Sequence, residues 1–70
     1  MYREQVISSN LRSVGYDPLS RTLEIEFRNG DIYQYVTVPV GVYNGLMSAS
    51  SKGRYFARVV RGTFPFALVA

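Results

Sequence analysis

The stretch TLEIEFRNGDIYQY, from Thr22 to Tyr35, decides the fold because it contains the clearest strand pattern in the chain. Apolar and polar residues alternate strictly over residues 22–27, which is the two-residue period of a half-buried β-strand. Asn29 and Gly30 follow, and this dipeptide is typical of a tight turn between two strands. The stretch therefore predicts an antiparallel hairpin.

The length of the turn decides which face of the sheet carries Tyr33 and Tyr35. With a two-residue loop, Asn29-Gly30, both tyrosines lie opposite glutamates on the solvent face. With a three-residue loop, Arg28-Asn29-Gly30, they lie opposite Leu23 and Ile25 on the core face, because one residue of register exchanges the faces. A small domain needs every large apolar residue for its core. This argument favours the longer loop, and the sequence leaves both registers open.

Strand and turn signals also precede the hairpin. Residues 6–16 predict an irregular strand with a bulge near Gly15. The sequence Asp17-Pro18-Leu19-Ser20 indicates a reverse turn, since proline presets the backbone and aspartate bonds forward to it. Three strands in a meander are therefore expected before residue 36.

Two short helices are predicted after the meander. Apolar residues recur at helical spacing between Pro39 and Ala49. A second helix is expected from Lys52 to Arg61, with serines before it as caps and Gly62 at its end. The apolar tail, residues 64–69, either adds an edge strand or lies across the core. The fold class is thus a single α+β domain over residues 1–70, with a three-stranded antiparallel meander, two short helices and a candidate C-terminal edge strand.

Composition excludes most chemistry. The chain has no cysteine and no histidine, so the usual zinc and copper ligands and histidine-dependent catalysis are absent. Glu24 and Glu26 share a strand face, and a charged solvent face explains them better than a glycosidase pair. We expect a protein that is not an enzyme and that uses no metal or cofactor. With no apolar run of about 20 residues and no signal-peptide pattern, we also expect no membrane contact and a cytoplasmic location.

Positive charge is concentrated in one segment. All four cations after residue 31 lie between residues 52 and 61, and no acid follows Asp31. Cations on one helix face would neutralise the phosphates of RNA or another polyanion, while an aromatic residue stacks on an unpaired base. The alternative is that these cations only keep a small apolar protein in solution. The candidate nucleic-acid-binding residues are Lys52, Arg54, Tyr55, Arg58 and Arg61.

Two further features allow other interpretations. Tyr33 and Tyr35 either pack in the core with their hydroxyls at the rim or form a stacking platform for bases. The apolar residues of the tail, among them Phe66 and Leu68, either complete the sheet or pair with a protein partner or a second copy of the chain. A protein-interaction or homo-oligomerisation module is therefore the alternative function.

A family resemblance runs through most of the chain, from about Ser8 to Phe66. The residues that carry it are Val14-Gly15-Tyr16-Asp17, Phe27, Gly30, Tyr33-x-Tyr35, Val38-Pro39, Val42-Tyr43, Leu46 and Ser51-x-Gly53-x-Tyr55-Phe56. In order and spacing this pattern resembles the KTSC domain, of which the YxY pair is the hallmark. The family is named for its place at the C-terminus of some lysyl-tRNA synthetases, and it also occurs as a free-standing small bacterial protein. The resemblance implies no established activity, and it implies RNA binding only by analogy with the synthetases.

Overall fold

Five strands lie side by side in one antiparallel sheet, in the order in which they occur in the chain. The computed structural model describes every residue from Met1 to Ala70. The strands are β1 (Glu4–Gln5), β2 (Leu11–Asp17), β3 (Thr22–Phe27), β4 (Ile32–Tyr35) and β5 (Phe66–Leu68). The α+β class is confirmed, but the sheet has five strands, two more than the predicted meander.

The two additional strands lie at the edges of the sheet. β5 pairs with β4, so the tail forms the candidate edge strand and does not cross the core. β1 pairs with β2 through Glu4 and Gln5 only. Sequence patterns did not predict β1 because two polar residues show no alternation, and pairing with an already formed β2 defines this strand.

The hairpin between β3 and β4 has the three-residue loop. Ile25 pairs with Tyr33, and Leu23 pairs with Tyr35, which confirms the favoured register. The amide of Phe27 donates to the carbonyl of Asp31 at 2.8 Å and closes the loop. Gly30 adopts a φ of 98°, a left-handed conformation that favours glycine. Both tyrosines therefore face the core side.

The predicted bulge is in a different place. The register of β2 against β3 shifts between Leu11 and Ser13, and Gly15 pairs regularly with Glu24. Gly15 is needed for close packing, since a Cβ atom at this position would overlap the backbone carbonyl oxygen of Tyr2. The glycine marks the close approach of the N-terminal segment to β2, which the sequence pattern alone does not distinguish from a bulge.

Both helices lie after the meander, as predicted, with one change of geometry. α1 spans Val40–Ser48, and α2 spans Lys52–Tyr55. α2 continues directly into a π-helical segment, Phe56–Val60, so the helix ends one residue before the predicted Arg61. The Ser51 side chain accepts a hydrogen bond from the amide of Arg54 at 3.3 Å, which confirms the serine cap.

The hydrophobic core lies between the sheet and the helices. Phe56 occupies its centre, only 2% exposed, with its ring edge-on to Phe27 and Tyr35 at centroid distances of 5.3 and 5.5 Å. Edge-to-face packing of this kind suits the quadrupoles of aromatic rings. The buried hydrophobic residues are Leu11, Val14, Leu23, Ile25, Tyr35, Val38, Leu46, Phe56 and Val60. Neither helix has the length and apolar character that a membrane-spanning segment requires.

The opposite face of the sheet carries a polar network instead of the expected open, charged surface. Glu24 is only 5% exposed, and its carboxylate pairs with the Arg3 guanidinium and accepts from the Gln34 amide at 2.7 Å. Ser13 donates to Glu26 at 2.7 Å. The N-terminal segment covers this face because Arg3 reaches across β2. Both glutamates are therefore engaged in structural contacts.

The network predicts a dependence of stability on pH. Burial raises the pKa of Glu24, but the hydrogen bonds from Gln34 and Arg3 and the charge of Arg3 outweigh it, so the pKa is lowered from 4.5. A carboxylate with a lowered pKa stabilises the fold above its unfolded pKa, and this stabilisation is lost as pH falls through the folded pKa. We expect the free energy of unfolding to decrease below about pH 4.5.

Urea denaturation between pH 2 and pH 7 tests this expectation with Glu24→Gln. The variant should lose about 1–2 kcal/mol at pH 7 and show a shallower acid dependence than the parent protein. Asp17, whose pKa is also lowered by hydrogen bonds from Ser20 and Leu19, contributes in the same direction in both proteins. Glu4→Gln, an exposed change in β1, is the matched control. Equal acid dependence in Glu24→Gln and the parent would remove Glu24 as the cause.

Candidate functional site

An open cleft of about 330 Å³ lies between the β3–β4 hairpin, the end of the π-helical segment and β5. We call it the aromatic cleft. Its volume is near the lower end of the range of about 300–1,000 Å³ for small-molecule sites. The lining residues that matter for its chemistry are Phe27, Asp31, Tyr33, Tyr35, Arg61 and Phe66.

Three aromatic rings form a nearly continuous surface in this cleft. The Tyr33 and Tyr35 rings are 6.3 Å apart at an interplanar angle of 26°. The Phe66 ring lies 5.7 Å from each of them. Tyr35 is buried, Tyr33 is half-buried and Phe66 is 61% exposed. The accessible part of this surface thus belongs to Tyr33 and Phe66, while Tyr35 packs in the core.

Tyr35 remains a neutral phenol at ordinary pH. Burial raises the pKa of its hydroxyl from 10.0, and the positive charge of Arg61 opposes this effect without cancelling it. As a neutral group, the hydroxyl is able both to donate and to accept a hydrogen bond. It carries no negative charge that would repel an anionic ligand.

Arg61 is placed at the cleft by the π-helical segment. Its amide donates to the carbonyl of Phe56, five residues earlier, at 3.0 Å. Its guanidinium carbon lies 5.3 Å from the centroid of the Phe56 ring, within the range of a cation–π contact. Single π-helical turns within α-helices occur often at functional sites. An exposed cation is thus held against the aromatic cleft.

A second cleft of about 310 Å³ adjoins the first, and we call it the polar cleft. The two share Phe27, Asn29, Phe56 and Arg61, so together they form one groove with Arg61 at the boundary. The polar cleft adds Arg28, whose Nε donates to the carbonyl of Ser8 at 2.7 Å. The groove is therefore aromatic at one end and polar and cationic at the other.

The predicted site residues do not form a single surface. Arg54 and Arg58 are exposed and line a third cavity, beside the C-terminal end of α1, that does not include Arg61. The Lys52 ammonium donates to the carbonyl of Ala49 at 3.0 Å. The five residues thus divide between two places on the molecule.

Contacts with α1 fix the position of the Tyr55 side chain, which distinguishes it from a ring that is free to stack on a base. Its hydroxyl donates to the carbonyl of Val42 at 3.2 Å. Its ring packs directly over Gly45, where an added Cβ atom would lie 2.8 Å from the ring carbon Cζ. The absence of a side chain at Gly45 therefore makes room for the Tyr55 ring. Tyr55 remains half-buried at the edge of the third cavity.

Six residues that line the aromatic cleft were not among the predicted site residues: Phe27, Asn29, Asp31, Phe56, Gly62 and Phe66. The sequence pattern placed Asn29 and Asp31 at a turn, and it placed Phe66 in a candidate apolar edge strand. β5 places Phe66 opposite Tyr35, and the hairpin loop places Asp31 in the cleft. The sequence signal for Phe66 was its two-residue spacing from Leu68, which matches the spacing of Tyr33 and Tyr35. Nothing in the local pattern indicated which strand it would join.

The groups with shifted pKa values do not come together in one place. The three groups with shifted pKa values, Asp17, Glu24 and Tyr35, lie in a turn, on the back of the sheet and in the core. Glu24 and Glu26, the one carboxylate pair on a common strand face, are engaged with Arg3, Gln34 and Ser13. Nothing here indicates a reaction.

The fold and the groove define a class: a small α+β domain of five antiparallel strands with an aromatic and cationic groove beside its YxY pair. The family model of the KTSC domain matches residues 7–64. The chain therefore belongs to the KTSC domain family, as the sequence resemblance predicted.

Known relatives are of two kinds. An uncharacterised protein of Stutzerimonas stutzeri is 46% identical over 61 residues, which cover 87% of this chain and 86% of that protein. A lysine–tRNA ligase of Nostoc is 40% identical over 58 residues, which cover 83% of this chain but only 10% of the ligase. The crystal structure of a KTSC domain protein from Yersinia pestis superposes with a TM-score of 0.96 at 45% identity, over 99% of this chain and 97% of that one.

Proposed function

We propose that this protein is a non-catalytic module that binds single-stranded RNA in the groove formed by the aromatic and polar clefts. The observation that carries the proposal is the position of Arg61, an exposed cation at the boundary of both clefts and beside the accessible rings of Tyr33 and Phe66. Sequence-tolerant binders of single strands combine these two elements, an aromatic stacking surface and a cationic track for the backbone.

Each element of the groove has a defined contribution. An unpaired base stacks on Tyr33 and Phe66, an interaction worth about 1–3 kcal/mol per base. Arg61 contacts the phosphate next to that base, and Arg28 is available to the following one. Arg54 and Arg58, on their separate surface, add to the positive field that attracts a polyanion.

The relatives support RNA as the polyanion. The Nostoc enzyme is named as a ligase of lysine and tRNA, and a segment similar to this chain forms about one tenth of its length. A domain joined to a protein that acts on tRNA is well placed to contact RNA, although this is an argument by analogy and carries less weight than the groove.

A titration with a single-stranded RNA of about ten nucleotides, a length typical of such sites, tests the proposal. Amide shifts of the labelled protein should be saturable and centred on Tyr33, Arg61 and Phe66. Arg61→Gln should weaken binding about tenfold and reduce the slope of log K against log salt by about 1. Arg21→Gln, an exposed change in the β2–β3 turn, should alter neither quantity.

Absence of shifts at millimolar RNA would refute RNA binding, and an equal effect of Arg61→Gln and Arg21→Gln would refute the groove as the site.

Self-association through β5 is the second candidate function, and it would be favoured by such a result. Leu68 and Phe66 lie 57% and 61% exposed on the edge strand β5, which has no neighbour on its outer side. Antiparallel pairing of two copies along β5 would cover both residues. A dimer in sedimentation that Leu68→Glu dissociates would identify this function.

A further inference from the structure

Asp31 is the one acidic residue that lines the aromatic cleft. The Asn29 side chain holds it in place, since Asn29 Oδ1 accepts from the Asp31 amide at 2.9 Å and Asn29 Nδ2 donates to Asp31 Oδ2 at 3.3 Å. No cation pairs with this carboxylate, and its Oδ1 atom accepts no hydrogen bond from the protein. A half-buried acceptor is thus presented to whatever occupies the cleft.

A carboxylate accepts hydrogen bonds and donates none, so it selects a ligand edge that carries donors. Unpaired bases are read on their Watson–Crick edges once they stack on aromatic residues. Guanine presents two adjacent donors there, the N1–H and the N2 amino group, which match the two oxygens of a carboxylate. Adenine, cytosine and uracil each place an acceptor beside their donor, and that acceptor would face the negative charge.

An organic cation is the other ligand that an aromatic site with an acid accommodates. Arg61 argues against it, because its guanidinium already lies over the Phe56 ring at 5.3 Å and would repel a second cation in the same cleft. A nucleotide is compatible with both charged groups of the cleft. Its neutral base would donate hydrogen bonds to Asp31, and its phosphate would pair with the guanidinium of Arg61.

We propose that the aromatic cleft binds an unpaired guanine of single-stranded RNA, with its base stacked on Tyr33 and Phe66 and its Watson–Crick edge bonded to Asp31. This inference rests on the proposed function and adds base selectivity to it. Arg61 supplies affinity for any sequence, whereas Asp31 supplies the preference for one base.

The experiment compares nine-nucleotide oligouridylates in which the central residue is guanosine, inosine, adenosine, cytidine or uridine. Guanosine should bind roughly tenfold more tightly than the others, as expected for a paired hydrogen-bond contact to a base. Inosine, which lacks the N2 amino group, should lose most of this advantage. Asp31→Asn should abolish the preference while retaining the affinity for oligouridylate, because an amide nitrogen replaces one acceptor oxygen.

Asp17→Asn is the matched control, because its carboxylate accepts from Ser20 in a turn outside the cleft and its loss should leave the guanosine preference unchanged. Equal binding of all five oligonucleotides, with a salt slope that still depends on Arg61, would overturn the guanine proposal and leave RNA binding intact. A preference for adenosine, or a guanosine preference that survives Asp31→Asn, would overturn it as well. No binding of any oligonucleotide would overturn both proposals.

Discussion

Replacement of Phe56 by alanine is expected to remove a large part of the free energy of unfolding at 25 °C. The ring is 2% exposed and contacts Phe27, Tyr35 and the Arg61 guanidinium, so its removal leaves a cavity at the point where the helix meets the sheet. Deletion of a buried phenylalanine costs about 3–5 kcal/mol. A domain of 70 residues has a total stability of roughly 4–10 kcal/mol, so this single loss removes a large part of it.

Urea denaturation followed by circular dichroism measures the effect, and Phe66→Ala is the matched control. Phe66 belongs to the same aromatic cluster but is 61% exposed, so its removal should cost less than about 1 kcal/mol. The same control variant should weaken RNA binding, because Phe66 is an accessible ring of the groove. Similar destabilisation by the two changes would contradict the central position of Phe56 in the core.

Leu46→Ala should produce the second largest loss, about 2–4 kcal/mol of the free energy of unfolding. Leu46 is the one fully buried residue of α1 and packs into the same core as Leu11 and Ile25. α1 has no side-chain cap at its start, and two glycines within it lower its intrinsic helix propensity. The stability of this helix therefore depends on packing against the core, in which Leu46 is the most deeply buried residue of α1.

Val40→Ala provides the comparison within α1, because Val40 is 53% exposed at the first turn of the helix. Alanine has the higher helix propensity, so this change should be neutral or slightly stabilising. Hydrogen exchange of the α1 amides supplies a second measurement, and Leu46→Ala should accelerate exchange there more than in β3. A loss below about 1 kcal/mol for Leu46→Ala would show that α1 is held by other contacts.

Much of the fold could be predicted because its signals are local. The alternation of Thr22–Phe27 predicts β3, and the Asn29-Gly30 turn predicts its hairpin with β4. The sequence left two registers open, and the structure has the favoured three-residue loop. The serine before α2 caps that helix as expected. The position of the bulge, the strand β1 and the π-helical turn were not predicted, because each depends on a neighbouring segment. The bulge depends on pairing of β2 with β3, and β1 depends on pairing with β2.

The candidate site was predicted less well, because its residues come from distant parts of the chain. Sequence identified a basic segment from Lys52 to Arg61, but helical spacing could not show that Arg61 lies apart from Arg54 and Arg58. Charge along a chain is a one-dimensional property, whereas a binding surface depends on which side chains the fold leaves exposed together.

Periodicity and turn residues are local features, and they are sufficient to predict the α+β class, the β3–β4 hairpin and the two helices. Composition alone excludes histidine and cysteine chemistry. The pairing of β5 with β4, in contrast, is evident only in the three-dimensional structure. It brings Phe66 against Tyr33 and Tyr35, with Asp31 and Arg61 beside them. That convergence depends on long-range burial of Phe56 and on pairing between strands more than 30 residues apart. No local pattern encodes either of them.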